Sequence, residues 1–178
     1  MAALLGLDVE TVKALASEAA QGEVCEVAND NAPGQIVVSG NKAAIERAVE
    51  IAKAKGSRAM LLPVSAPFHC ALMKPAAAAM AEAISKVTVR TPNVSVIANI
   101  TAQPVKDPTE IVKLLIAQGT GTVRWRESVG YLASRGVKKM VETGTGKVLG
   151  GLIRRIARGI LTINVGTAED VAVYKMRT

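Results

Sequence analysis

The amino-acid sequence predicts an α/β fold built in two parts. Apolar residues make up 49% of the chain and aromatic residues only 2%, so small and branched aliphatic side chains must fill a sizeable core. That composition is typical of helices packed on a largely buried sheet. The second observation is the order of the predicted elements, which is β-α-β-β-α-β over residues 1–63 and an alternation of strands and helices over residues 64–178.

Residues 1–63 are long enough to form a subdomain of their own. Asp8 can cap a helix with apolar residues at helical spacing, Gly22 ends that helix, and Asn41 opens a second helix that ends at Gly56. The predicted elements are a strand at 1–5, a helix at 9–20, a strand at 23–28, a turn at 31–34, a strand at 35–39, a helix at 42–55 and a strand at 58–63. This order is the split β-α-β, or ferredoxin-like, pattern.

Residues 64–178 alternate strands with helices, which predicts a parallel sheet. We expect a helix from Phe68 or His69 to about Ser85, with either a kink at Pro75 or a regular helix only from Pro75 onward. The later predicted elements are a strand at 94–98, helices at 108–117 and 125–135, a strand at 137–142, a helix at 147–157, a strand at 161–165 and a helix at 168–176. Three strands are few for an independent sheet, so we expect partner strands beyond them.

The formal net charge of +7 indicates an acidic partner, nucleic acid or a membrane surface. The basic residues are scattered and stacking aromatic residues are few, so we expect no nucleic-acid partner. No apolar run approaches the roughly 20 residues that span a bilayer, and no basic region precedes the N-terminal apolar stretch, so we expect neither a membrane nor a signal peptide. Two cysteines, Cys25 and Cys70, are too few for a disulfide framework and indicate reduced thiols in the cytoplasm.

The glycine-rich segment at residues 143–150 follows a predicted strand and opens a helix. Val148 stands where a phosphate loop needs Ser or Thr, and Leu149 stands where a dinucleotide fingerprint needs its third glycine. We therefore expect a tight strand-to-helix turn. A further interpretation is that backbone N–H groups at this turn hold an anionic ligand.

His69 is the only histidine, which excludes a histidine-based metal cluster. It is either a structural residue or a catalytic base. The base is favoured because His69 follows a proline-containing loop at a predicted helix start, where the helix dipole keeps the ring neutral. Cys70 would not face His69 on a helix, so we expect Cys70 to pack in the core. The motif Gly-x-Ser-x-Gly does not occur in the 178 residues, so this base has no evident nucleophile.

Four segments together resemble the malonyl-CoA:acyl-carrier-protein transacylase family in order and spacing. They are NDNAPGQIVVSG at residues 29–40, PVSAPFHCALM at 63–73, VRWRESV at 123–129 and GTGKVL at 144–149. The resemblance implies a ferredoxin-like subdomain at 1–63 and the C-terminal part of a hydrolase-like α/β subdomain at 64–178. It also implies malonyl transfer from malonyl-CoA, as substrate, to the phosphopantetheine thiol of acyl carrier protein in fatty acid synthesis, without a cofactor.

The resemblance also implies a role for each of six residues, which local pattern alone would assign to turn, surface or core positions. His69 is the general base, held by the backbone carbonyl at the Gln118 position; Asn29 and Asn31 line the substrate cleft; Arg58 binds the acidic carrier; and Phe68 favours malonyl over branched groups.

Two kinds of departure from the family pattern affect the expected activity. The serine elbow, the arginine that pairs with the malonyl carboxylate and the loop of the oxyanion hole would all lie upstream of Met1, so we expect a truncated enzyme that is inactive alone. Thr145 replaces a proline, and Gly119 and Gly121 predict a loose loop after Gln118. The alternative is a non-catalytic module that binds an acidic carrier protein through its basic surface.

Overall fold

A four-stranded antiparallel sheet covered by two helices forms the start of the chain in the computed structural model, which describes residues 1–176. Its elements are β1 (Ala2–Leu5), α1 (Val9–Ala20), β2 (Cys25–Ala32), β3 (Gln35–Gly40), α2 (Lys42–Ala54) and β4 (Arg58–Leu61). The strand order is β2-β3-β1-β4, with antiparallel pairing throughout. This arrangement confirms the predicted ferredoxin-like pattern.

Local capping explains why the first helix has the predicted bounds. The Asp8 carboxylate accepts a hydrogen bond from the Thr11 backbone N–H at 2.8 Å, and Gln21 and Gly22 end the helix with left-handed backbone at φ 46° and 87°. Asn41 also precedes its helix as predicted, but its side chain accepts from the Val24 N–H at 2.8 Å and does not cap the helix. Asn41 therefore fastens the start of α2 to the chain entering β2.

The main core lies between the sheet and the two helices. Its largest fully buried members are Leu4, Leu15, Ile36, Ile45, Val12 and Val38. A smaller cluster of Ala3, Ala28 and Val37, with Met1 and Leu62 beside it, lies on the opposite face. The central strands β1 and β3 are buried on both faces, so they carry aliphatic residues in both orientations, as the composition predicts.

Strand β2 is longer than predicted, because it continues through Ala32 where a turn was expected from residue 31. Its pairing with β3 shifts register between Val27 and Asn29 and again between Asp30 and Ala32. The turn is confined to Pro33 and Gly34, where Gly34 has φ 66°. Irregular pairing of this kind bends a strand and redirects its side chains.

The chain beyond β4 differs from the prediction in two ways. A short 3₁₀ helix (Ala71–Met73) precedes α3 (Lys74–Ser85), so the regular helix begins next to Pro75, as one alternative predicted, and not at Phe68 or His69. Strand β5 (Val96–Ala98) pairs antiparallel with β6 (Gln103–Val105), so the parallel prediction is wrong for this strand. The sequence did not predict β6, because it has three residues and contains Pro104.

The last elements follow the predicted order closely. They are α4 (Pro108–Gln118), α5 (Trp125–Ser134), β7 (Lys139–Thr143), α6 (Val148–Ile156), β8 (Leu161–Val165) and α7 (Ala168–Lys175). Asp107 caps α4 by accepting from the Glu110 N–H at 2.8 Å, with Pro108 in the first turn. Strands β7 and β8 pair in parallel, as expected for a strand-helix-strand unit.

The chain divides into two units, Met1–Ser128 and the residues from Val129 onward. The predicted boundary between residues 63 and 64 falls inside the first unit, so the division into subdomains 1–63 and 64–178 stays a prediction. Within residues 1–176, no helix has both the length and the apolar character needed to cross a bilayer. In the same residues, no three His, Cys, Asp or Glu side chains form a group that could hold a metal ion.

Candidate active site

His69 lies in a turn between β4 and the 3₁₀ helix, and its side chain is half-buried. Its backbone has φ 59°, in the left-handed region that histidine adopts more readily than most residues. The expected position at a helix start is wrong, because the regular helix begins five residues later. The helix-dipole argument for a neutral ring therefore does not apply to His69.

The ring of His69 is held by the main chain at the end of α4. Its Nδ1 atom lies 3.1 Å from the backbone carbonyl oxygen of Gln118. A carbonyl oxygen only accepts hydrogen bonds, so in the neutral ring the proton must be on Nδ1, which donates it to Gln118. The lone pair of the ring is then on Nε2, which is the tautomer a general base needs. The Gln118 carbonyl is the partner that the family resemblance implies, while the catalytic role of both residues stays a prediction.

The side chain of Gln118 shapes the loop that follows α4. Its Nε2 donates to the Gly121 carbonyl oxygen at 2.7 Å, while its buried Oε1 has no hydrogen-bond partner among residues 1–176. A Cβ at Gly121 would overlap the Ile100 side chain, and a Cβ at Gly119 would press against Ala77. These glycines therefore allow close packing, and the prediction that they loosen the loop is wrong.

Two further contacts hold the turn that carries His69. The Glu26 carboxylate on β2 accepts a hydrogen bond from the Ala71 backbone N–H at 3.0 Å. Cys70 is fully buried, and its Sγ lies 3.1 Å from the Pro67 carbonyl oxygen, so it packs in the core as expected. The turn is thus held on both sides of His69.

Asn29 and Asn31, the predicted cleft residues, lie half-buried on β2 on either side of Asp30. Asp30 is 2% exposed and pairs with Arg126: Arg126 Nε lies 3.0 and 2.9 Å from the two carboxylate oxygens, and one terminal nitrogen lies 2.7 Å from Oδ2. The hydrogen bonds to Asp30 raise the pKa of Arg126 further above its ordinary value. Sequence inspection missed this pair, because nothing local marks which of the 22 basic residues pairs with Asp30.

Phe68 and Arg58 are both exposed. Phe68, next to His69, is 39% exposed, so it is not a core residue. Arg58 lies on the edge strand β4, opposite Leu5 of β1. Among residues 1–176, no hydrogen bond or ion pair joins Arg58, Asn29 or Asn31 to His69. The structure thus brings His69 and Gln118 together, with Phe68 next to His69 in the chain, and it places the other three on β2 and β4 without a direct link to the ring.

The glycine-rich turn in the second unit holds an anion that belongs to the protein itself. The Glu142 carboxylate accepts from the backbone N–H groups of Leu149 at 3.0 Å and Gly150 at 2.7 Å. Gly144 and Gly146 give the turn its positive φ angles of 116° and 88°. Because Glu142 occupies the N–H groups at the start of α6, the interpretation as a site for an external anion is wrong. The expected tight strand-to-helix turn is confirmed.

Known proteins share both the sequence and the fold of this chain. A malonyl CoA-acyl carrier protein transacylase of Haemophilus influenzae is 42% identical over 175 residues, covering 98% of this chain and 55% of the relative. The crystal structure of an acyl-carrier-protein S-malonyltransferase from Bartonella henselae superposes with a TM-score of 0.93 at 49% identity, over 99% of this chain and 56% of that one. A malonyl-transacylase in complex with its type II PKS acyl-carrier protein superposes with a TM-score of 0.94 at 35% identity, over 99% and 58%.

No protein-family model matches the chain. The chain spans about half the length of the curated relatives it matches, and that half is their C-terminal part. The sequence identity of 42% to one relative and the TM-score of 0.93 to one solved structure both extend over nearly all of this chain. Together they indicate common descent. The chain is therefore homologous, over nearly its whole length, to the C-terminal part of malonyl CoA-acyl carrier protein transacylases.

Proposed function

We propose that this chain supplies the general base for malonyl transfer from malonyl-CoA to the phosphopantetheine thiol of acyl carrier protein in fatty acid synthesis. The observation that carries the proposal is the hydrogen bond between His69 Nδ1 and the Gln118 carbonyl oxygen at 3.1 Å. That bond leaves the Nε2 lone pair as the proton acceptor. The reaction takes place in the cytoplasm and needs no cofactor.

In the first half-reaction, His69 Nε2 takes the proton of a serine hydroxyl as its oxygen attacks the thioester carbonyl of malonyl-CoA. The C–S bond breaks, the malonyl group remains on the serine as an ester, and the imidazolium returns the proton to the leaving CoA thiolate. The Gln118 carbonyl stabilises the imidazolium through the Nδ1–H hydrogen bond and keeps the ring oriented.

In the second half-reaction, His69 Nε2 takes the proton of the carrier thiol as the sulfur attacks the malonyl ester. The C–O bond breaks and the proton passes to the serine oxygen, which restores the enzyme. Asn29 and Asn31 line the cleft, Phe68 disfavours branched acyl groups, and exposed Arg58 attracts the acidic carrier. No Gly-x-Ser-x-Gly sequence is present in these 178 residues, so we propose that the chain alone is inactive.

A chimera tests the base. The 178 residues replace the matching part of the Haemophilus influenzae relative, and malonyl transfer from CoA to carrier protein is measured. Transfer is expected, with a loss of about 10²- to 10⁴-fold in His69→Ala. Arg90→Ala, on an exposed residue, is the matched control and should leave the rate unchanged. If the folded chimera with His69→Ala transfers malonyl as fast as the chimera without the substitution, His69 is not the general base.

The same assay with the unmodified 178-residue chain tests its inactivity. Malonyl transfer by the purified chain would contradict the proposal. Slow thioester hydrolysis that disappears in His69→Ala would show that the base works with water as the nucleophile.

A non-catalytic carrier-binding module is the second candidate, and the exposure of Arg58 on edge strand β4 favours it. The chain, with its net charge of +7, should then bind acidic carrier protein with an affinity that falls as salt rises. Arg58→Ala should weaken this binding, while Arg90→Ala should not. Absence of binding at low salt would exclude the module.

A further inference from the structure

We infer that Glu26 and the Asp30–Arg126 pair are positioning residues that hold His69 and the Gln118 carbonyl at hydrogen-bonding distance. This inference rests on the proposed role of His69 as a base. The two acidic residues lie four positions apart on the same strand, β2. One reaches the turn that carries His69, and the other reaches the segment that carries Gln118.

The first contact is made by Glu26. Its side chain is exposed, yet its Oε2 accepts from the Ala71 N–H at 3.0 Å, across 45 positions of sequence. Ala71 opens the 3₁₀ helix two residues after His69. Because His69 has left-handed backbone at φ 59°, the direction of its side chain depends on what holds the residues that follow it.

The second contact runs through residues 118–126, which we call the strap. The strap begins at Gln118, the last residue of α4, and ends in the first turn of α5. Its middle is fastened to β2 by three hydrogen bonds: the Thr122 hydroxyl donates to the Val27 carbonyl at 2.6 Å, the Val123 N–H to the Ala28 carbonyl at 2.8 Å, and the Asp30 N–H to the Val123 carbonyl at 2.9 Å.

The Asp30–Arg126 pair fixes the far end of the strap. Both oxygens of the buried Asp30 carboxylate bond to the Arg126 side chain. A two-point contact between a planar carboxylate and a planar guanidinium fixes orientation as well as distance. The strap therefore has a defined register on β2 at the point where the pairing of β2 with β3 is irregular.

These contacts close a ring of interactions. From β2 the ring passes through Glu26 to the turn of His69, across the 3.1 Å hydrogen bond to Gln118, along the strap, and through Arg126 back to Asp30 on β2. The two partners of the His69–Gln118 bond are 49 residues apart, and β2 supports both. Loss of either support should lengthen this bond and release the constraint on the tautomer.

Magnetic resonance of ¹⁵N-histidine in the 178-residue chain tests the inference, since one histidine gives one set of ring signals. In the unsubstituted chain the neutral ring should be mainly the Nδ1–H tautomer. In Glu26→Ala the Nδ1–H fraction should fall at least about twofold, because the bond that selects this tautomer is weakened. Glu26→Gln keeps an acceptor for the Ala71 N–H and should restore the original signals.

The double variant Asp30→Asn with Arg126→Met tests the other support. The substituted side chains have volumes close to those of Asp30 and Arg126, and the variant leaves no unpaired buried charge. The chain should therefore still fold. The Nδ1–H fraction should again fall at least about twofold. Glu50→Ala, which removes an exposed carboxylate that pairs with Lys53 across one helix turn, is the control and should leave the signals unchanged.

The outcomes separate this inference from the proposed function. Unchanged ring signals in folded Glu26→Ala and in the folded double variant would overturn the positioning role, while the His69 chimera assay could still succeed. A ring that is mainly the Nε2–H tautomer in the unsubstituted chain would overturn the proposed geometry of the base itself. Loss of the Nδ1–H tautomer that Glu26→Gln does not reverse would also overturn the role of Glu26.

Discussion

The carbonyl oxygen of Gln118 accepts a hydrogen bond from Nδ1 of His69 at 3.1 Å, although the two residues are 49 positions apart. A main-chain acceptor serves here where the histidine of a Ser-His-Asp triad uses a carboxylate. An uncharged acceptor orients the ring and selects its tautomer without placing a negative charge beside it, and the malonyl group of the proposed substrate is itself an anion. The identity of the residue at position 118 therefore matters less for this bond than the path of the backbone.

Replacement of Gln118 by alanine tests this distinction. Gln118→Ala keeps the carbonyl, so the Nδ1–H tautomer of His69 should persist. The variant loses the 2.7 Å hydrogen bond to the Gly121 carbonyl, so the free energy of unfolding should fall by about 1 kcal/mol. Urea denaturation measures the stability and histidine resonances measure the tautomer. Gln103→Ala, at an exposed strand position, is the control. A lost tautomer with unchanged stability would show that the side chain orients the ring.

The Asp30–Arg126 pair should respond unequally to removal of its two partners. Arg126→Ala leaves a carboxylate that is 3% exposed without its ion-pair partner, whereas Asp30→Ala leaves a guanidinium that is 35% exposed and can reach water. Arg126→Ala should therefore cost about 3–5 kcal/mol of unfolding free energy and Asp30→Ala only about 1–3 kcal/mol. Urea unfolding at neutral pH measures both, and the reverse order would contradict the account of this pair.

Glu127 should make the chain less stable in acid. Hydrogen bonding to the Arg124 side chain is the main cause that lowers the pKa of Glu127, with Nε donating at 2.9 Å. A depressed folded-state pKa contributes stability above the unfolded-state pKa, and that stability is lost as the pH falls through the folded-state value. Glu127 is 37% exposed, so the contribution should stay below about 1 kcal/mol.

The difference in stability between the unsubstituted chain and Glu127→Gln, measured by denaturation from pH 7 down to pH 3, tests this dependence. It should shrink once the pH falls below the ordinary glutamate value of about 4.3. Glu10→Gln, on an exposed carboxylate of α1, is the matched control. A difference that grows in acid would contradict the sign.

Cys25 should be unreactive in the folded chain. Burial raises the pKa of its thiol to about 11, and the side chain is 7% exposed. Alkylation requires the thiolate, so iodoacetamide at pH 8 should modify Cys25 only after denaturation, as mass spectrometry of the labelled peptide can show. Ser85→Cys, at an exposed position of α3, should be labelled readily in the same chain. Rapid labelling of Cys25 in folded protein would contradict its burial.

Local sequence signals predicted most of the individual elements. The bounds of α1 and β8 were predicted to the residue, because an N-cap, apolar spacing and flanking glycines act over a few positions. The two misses have different causes. Strand β6 is too short to show a pattern, and β2 continues through Ala32 because its hydrogen bonds lie with β3 and Val123, far along the chain.

The sequence by itself determined that this chain has one histidine, a ferredoxin-like order of elements and no serine elbow among its residues, since these depend on composition and short-range order. Only the tertiary structure decided how His69 is held. Its left-handed backbone, the Glu26–Ala71 contact across 45 positions and the Asp30–Arg126 pair across 96 arise when distant segments meet on β2. No local pattern encodes such contacts, because their partners are chosen by packing in three dimensions.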